Sequence, residues 1–148
     1  MKSLKIIIPI VLMLWTSAFA HQPDMSDERA AYVARDGLMH LMHQQRYILT
    51  EMLVGKKPID QDIFVRSAKS IAALASMIPR AFEKNLMVFE SRSNPEIWKN
   101  WDDFISVAEN LRKVADEIAS SAETHGAASI IEKVRQIDCG SCHGPYRN

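Results

Sequence analysis

The only two cysteines of the 148-residue chain stand three apart near its end, Cys139 and Cys142, and His143 follows the second directly. Cysteines at that spacing on a helical turn present two sulfurs to one edge of a flat ligand, and the adjacent imidazole can present a ring nitrogen to a metal at its centre. Cys-x-x-Cys-His is the pattern that attaches c-type haem through two thioethers, with the histidine as an iron ligand. Three other chemistries use such a pair. A disulfide would close so short a loop that it would constrain the unfolded chain little. A thioredoxin-like redox pair belongs near a βαβ pattern at the start of a helix. A Cys₂His₂ zinc site would need two further ligands, for which His40 and His43 are the candidates. One covalent haem c, held through Cys139 and Cys142 with His143 on the iron, is the reading that uses every residue of the motif.

The elements that must position this motif are helical. At 47% hydrophobic and 24% charged residues the chain can bury one ordinary core, which implies a single domain. Five glycines and six prolines are too few for a turn-rich β architecture. Eighteen basic and eighteen acidic residues cancel, and the basic ones are scattered, which excludes a phosphate-tracking surface and so a nucleic-acid partner. Ser26 or Asp24 can cap a first helix with apolar positions at Val33, Leu38, Leu41, Ile48, Met52 and Leu53, broken at Gly55 to Pro58. A second helix starts at Asp60 or Asp62, carries Ile63, Phe64, Ala68, Ile71, Leu74 and Ile78, and is closed by Pro79. An irregular connection, long enough to span the end of a bundle or cover a pocket, reaches Ser93.

Asn94 then serves as N-cap with Pro95 at the first helical position of a third helix. Its stripe runs through Ile97, Trp98, Trp101, Phe104, Ile105, Ala108, Leu111, Ala115 and Ile118 to an end near Gly126. A fourth helix through Ile130, Ile131, Val134 and Ile137 leads straight into Cys139. The fold expected is an all-α, antiparallel four-helix bundle with the haem attached near the C-terminus.

Residues 1–20 read as a secretory signal: Lys2 and Lys5, an apolar run from Ile6 to Trp15, then Ala18-Phe19-Ala20 before the cleavage point. The apolar run is short of the roughly 20 residues a spanning helix needs. Residues 21–148 are then the mature domain, delivered to the periplasm.

Cys139, Cys142, His143, Tyr146 and Arg147 make a terminal Cys-x-x-Cys-His-x-x-Tyr-Arg that resembles the class II cytochromes c, the family of cytochromes c′ and c556. "GKKPID" at 55–60 resembles its link between helices one and two, "MIPRAF" at 77–82 its second-helix ending, and "NPEIW" at 94–98 its third-helix start, so the likeness covers the mature chain. Gly144-Pro145 departs from the more polar pair usual after the histidine. The resemblance implies that Met39 faces the second side of the haem. In cytochromes c556 a methionine there binds iron in a low-spin electron carrier; in cytochromes c′ the residue blocks the site without binding, and nitric oxide or carbon monoxide can enter.

At about 100° per residue, Arg35, Met42 and His43 fall within roughly 60° of Met39, and His40 lies about a quarter-turn away. Met39 as iron ligand, Met39 as lid and His43 as ligand all stay open on that face. Trp98 matches a family position near the haem, and Arg147 resembles the terminal arginine beside its edge, so Arg35, Trp98 and Arg147 join the candidate haem-binding residues. The functions implied are one-electron transfer with periplasmic redox proteins or, alternatively, gas binding, with pairing into a homodimer through the first two helices. Neither a hydrolytic triad nor a phosphate loop points to an enzyme. The exported form is expected to begin at His21; N-terminal sequencing of the periplasmic protein checks this, and a chain still starting at Met1 would make the segment an anchor instead.

Overall fold

The computed structural model describes residues 25–148, so the proposed signal at 1–20 lies outside the described residues. Helix α1 spans Asp27–Leu53. Ser26 caps it by accepting from the Arg29 amide, and Asp27 and Glu28 place negative charge at the positive end of the helix. It stops where Gly55 takes a left-handed φ of 73°, which costs glycine nothing, and the Lys56 and Lys57 amides close onto the Glu51 carbonyl. Helix α2, Gln61–Ser76, starts at the Asp60 cap, whose carboxylate accepts from the Ile63 amide at 2.8 Å.

Pro79 does not close this helix as expected. The break falls earlier, at Met77, and Pro79 sits in the first turn of a short α3, Ile78–Phe82, where its missing N–H has no helical partner to lose. Residues 83–95 form the expected irregular connection. The third helix is also divided, into α4, Glu96–Lys99, and α5, Trp101–His125. At the joint, Asn100 leaves helical geometry (φ −117°, ψ 46°) while its side-chain amide donates to the Glu96 carboxylate at 3.1 Å, a local bond that competes with the helical ladder. Gly126, at φ 82°, ends α5 where the sequence predicts.

The fourth member of the bundle is segmented rather than continuous. Helix α6, Ala127–Ile130, gives way to a 3₁₀ stretch, Ile131–Gln136, and Ile137 then leaves helical geometry before α7, Gly140–Tyr146. The tighter winding has a reason in the sequence: Ile131, Val134 and Ile137 recur every three residues, the 3₁₀ period, and Val134 and Ile137 are buried.

These members form the antiparallel four-helix bundle expected, with the largest interface between α2 and α5. Its core has two parts. One, away from the cysteines, packs Leu49, Phe64, Ile71, Ile118 and Val134 with small alanines of α5. The other packs Leu38, Met42, Phe82, Ile97, Phe104 and Tyr146 at the cysteine end. Val33 lies about 140° round α1 from Leu38 and is exposed rather than in the core, and Leu41 and Ile63 are exposed too. Among the described residues no helix is long and apolar enough to cross a membrane.

One polar side chain ties the far end together. The Gln61 amide donates to the Ala122 carbonyl at 2.8 Å and accepts from the Ala127 amide at 2.7 Å, joining the start of α2 to the end of α5 and the start of α6. Gln61→Ala is expected to cost about 1–2 kcal/mol, read as a lower urea midpoint with an unchanged slope; an unchanged midpoint would mean that solvent replaces both bonds without loss.

Candidate functional site

A cavity of about 530 Å³ opens between the two parts of the core, within the range of roughly 300–1,000 Å³ typical of cofactor sites. Its floor is apolar: Ile71, Ile78, Phe82, Ile97, Phe104 and Leu111. Helix α1 contributes Arg35, Met39, Met42, His43 and Arg46 to one wall, and α7 with the residue before it contributes Cys139, Cys142, His143 and Tyr146 to another. Residues 90–93 of the connection close a third side, so the connection does cover a pocket.

Helix α7 is short and is fixed at both ends. At its start, the Asp138 carboxylate accepts from the Gly140 amide at 2.7 Å, and the His143 amide closes the first turn onto the Cys139 carbonyl at 3.0 Å. The turn so formed carries both cysteines and the histidine. Gly144-Pro145 does not interrupt the helix, which continues to Tyr146 before Arg147 turns extended. There the tail pairs with the connection: the Asn94 amide donates to the Tyr146 carbonyl at 3.0 Å and the Asn148 amide to the Arg92 carbonyl at 2.8 Å. The Tyr146 ring is buried edge-on against Phe104, and its hydroxyl donates to Asp103 of α5 at 2.5 Å. That bond, together with desolvation, pushes the Tyr146 pKa up to about 12.

Electrostatics at the motif do not favour thiol exchange. Desolvation pushes the Cys142 thiol up to about 11, with the neighbouring Cys139 and Asp103 adding to the rise. Cys139 is raised as well, by desolvation first, with Arg46 opposing and Asp138 adding. Both shifts are upward, the opposite of the lowered pKa that drives a redox-active pair. Desolvation, then the charges of Arg147 and Arg92, lower the His143 pKa, so its imidazole is neutral at pH 7 and has a lone pair to offer a metal. Two thiols, a neutral imidazole and a thioether around an apolar cavity form a donor set that fits haem c.

Of the residues singled out from the sequence, Met39, Arg35, His43 and Arg147 line the cavity with the motif. Met39 is half-buried and packs on the core part that holds Leu38, Met42 and Phe104. Arg35 is buried, and its three guanidinium nitrogens donate to the carbonyls of Ala81, Lys84 and Leu86 at 2.6–2.9 Å. It is sandwiched at 4.8 Å from the Phe82 ring and 5.3 Å from the Trp98 ring, so its first role is to clamp the connection onto α1. Trp98 is not among the residues lining the cavity. It stands behind the wall, its indole N–H donating to the Phe82 carbonyl at 2.7 Å.

His40 is exposed and turns back to Asp36, and among the described residues no group of three or more His, Cys, Asp or Glu side chains converges to hold a metal ion, which removes the Cys₂His₂ zinc reading. Sequence reasoning missed three residues here. Arg46 lines the cavity and is seven residues beyond Met39, about 20° away round the helix, so the same wheel could have found it. Arg92 and Asp103 carry no local signal; only the folded chain brings them to the motif.

Comparison with known proteins agrees with this geometry. A family model described as Cytochrome C′ matches residues 30–147. Cytochrome c-554 of Cereibacter sphaeroides is 34% identical over 119 residues, 76% of this chain and 77% of that protein. Cytochrome c-556 of Agrobacterium tumefaciens is 30% identical over 115 residues, 76% of this chain and 93% of that protein. The fold is shared with a nitric oxide complex of a cytochrome c prime mutant from Alcaligenes xylosoxidans, at a TM-score of 0.74 and 17% identity over 84% of this chain and 98% of that one. The chain belongs to the cytochrome c′ family, the class II cytochromes c, and is a haem c protein whose two cysteines stand in the attachment motif.

Proposed function

We propose that the protein is a periplasmic one-electron carrier in which His143 and Met39 would both hold the iron of a low-spin haem c. The observation that carries this reading is that Met39 of α1 and the Cys142–His143 pair of α7 line one cavity. Bound there, haem c supplies a one-electron iron couple. Cys139 and Cys142 provide the sulfurs of attachment, and His143 provides a neutral ring nitrogen. Met39 provides a soft thioether, a donor that favours the reduced state and raises the potential. Leu38 and Met42, buried on the same helix, fix the backbone on either side of Met39, so its sulfur can stay in place in both oxidation states. The apolar floor excludes water, and Arg46, Arg92 and Arg147 offer cationic donors at the rim for carboxylate groups. The role is carriage rather than catalysis.

A second reading has its own support. Met39 in a largely apolar wall could act as a lid over a five-coordinate iron, and the protein of the same fold from Alcaligenes xylosoxidans was solved with nitric oxide bound. The chain would then bind nitric oxide or carbon monoxide. In either case a homodimer fits α1, where exposed Val33 and Tyr47 stand fourteen residues apart with Leu41 beside them, and exposed Val54, just past the helix end, follows Tyr47 by seven. Ferric spin state separates the two functions. A low-spin spectrum that turns high-spin in Met39→Ala is the expected result, and a high-spin wild type would remove Met39 from the iron and leave gas binding.

A further inference from the structure

Asp103 is an acid set against the motif-bearing helix, and the attachment chemistry makes no use of it. Among the described residues no lysine, arginine or histidine forms an ion pair with it. Its one side-chain partner is the Tyr146 hydroxyl, at 2.5 Å. Tyr146 follows Cys142 by four residues and His143 by three, so on α7 it shares a face with both. Tyr146 and Cys142 pack into the same part of the core as Phe104, the residue next to Asp103. A fixed negative charge is therefore held one hydrogen bond from the helix turn that carries a thioether sulfur and the iron ligand.

The hydroxyl is not what keeps α7 in place. Two other ties hold it: the buried ring lies edge-on to Phe104 at 5.2 Å, and the tail has its own backbone pairing with residues 92–94. What the O–H does is partly neutralise the carboxylate. A negative charge near an iron centre stabilises the oxidised state, and a donor to that charge weakens the effect.

We propose that Asp103 and Tyr146 form a potential-setting pair: the carboxylate lowers the reduction potential of the haem, and the hydroxyl that donates to it moderates the lowering. Neither residue is a ligand; both act through the electric field at the motif. This rests on the reading of the chain as an electron carrier, but the measurement needs only attached haem.

The test is spectroelectrochemical titration of the holoprotein. Asp103→Asn is expected to raise the midpoint potential and Tyr146→Phe to lower it. Asp102→Asn, which removes an exposed carboxylate one residue away, is expected to shift it less than Asp103→Asn. Because Asp103, like Asp102, is exposed to solvent, both shifts are expected to shrink as ionic strength rises. A merely structural bond would behave differently, since losing either partner would loosen α7 alike and move the potential in one direction regardless of salt. Shifts of the same sign, or none, overturn the proposal. Should Asp103→Asn fail to retain haem, Tyr146→Phe decides by its sign alone, a rise or no change counting against. Failure of the electron-carrier reading is registered separately, by a high-spin ferric wild type.

Discussion

A helix of seven residues is too short to be stable alone, because nucleation costs more order than so few hydrogen bonds return, so the attachment motif depends on what holds α7 at its two ends. At the start, Asp138 takes up the Gly140 amide; at the finish, the tail adds backbone bonds to the connection and Tyr146 buries its ring on α5. The connection is in turn gripped from the other side of the cavity by Arg35 of α1. Met39 and His143, which line the one cavity, are thus referred to one common segment.

Arg35 shows how a cation can serve as structure. Burying a guanidinium is costly unless its donors are satisfied, and here each nitrogen meets a carbonyl while two aromatic faces flank the plane. Two of the carbonyls, those of Lys84 and Leu86, belong to an irregular segment that lacks a ladder of its own, and the third, Ala81, lies in the last turn of α3, so the same bonds that stabilise the arginine also satisfy the start of the connection. Arg46, Arg92 and Arg147 contrast with it. They stand at the cavity rim without ion pairs among the described residues, and two of them help to keep His143 neutral. One arginine builds the wall, and three set the field at its edge.

The helical content and the turns between helices were legible because their signals are local. Ser26, Asp60 and Asn94 each accept a backbone N–H within three residues, and Gly55 and Gly126 occupy the positive-φ ends that favour glycine. Where expectation failed, a second local preference won. Pro79, a terminator by its type, opens a new turn; Asn100, inside an unbroken apolar stripe, bonds to Glu96 and divides the helix; three-residue spacing in 131–137 selects a 3₁₀ stretch. The same stripe logic misplaced Val33, because apolar character does not reveal which side of a long helix meets the core.

By itself the sequence determined the attachment chemistry, since two sulfurs and an imidazole within five residues need only one helical turn to act together. It determined the family, whose motifs run the length of the domain, and the face of α1 that carries Met39. Tertiary structure alone decided that Arg35 spends its donors on carbonyls, that Trp98 stands behind the wall, and that Asp103 meets Tyr146 from 43 residues away. The physical reason is one of range. Capping, periodicity and motif spacing are settled within a turn or two of chain, whereas the partner of a buried charge or hydroxyl is set by which helices pack together.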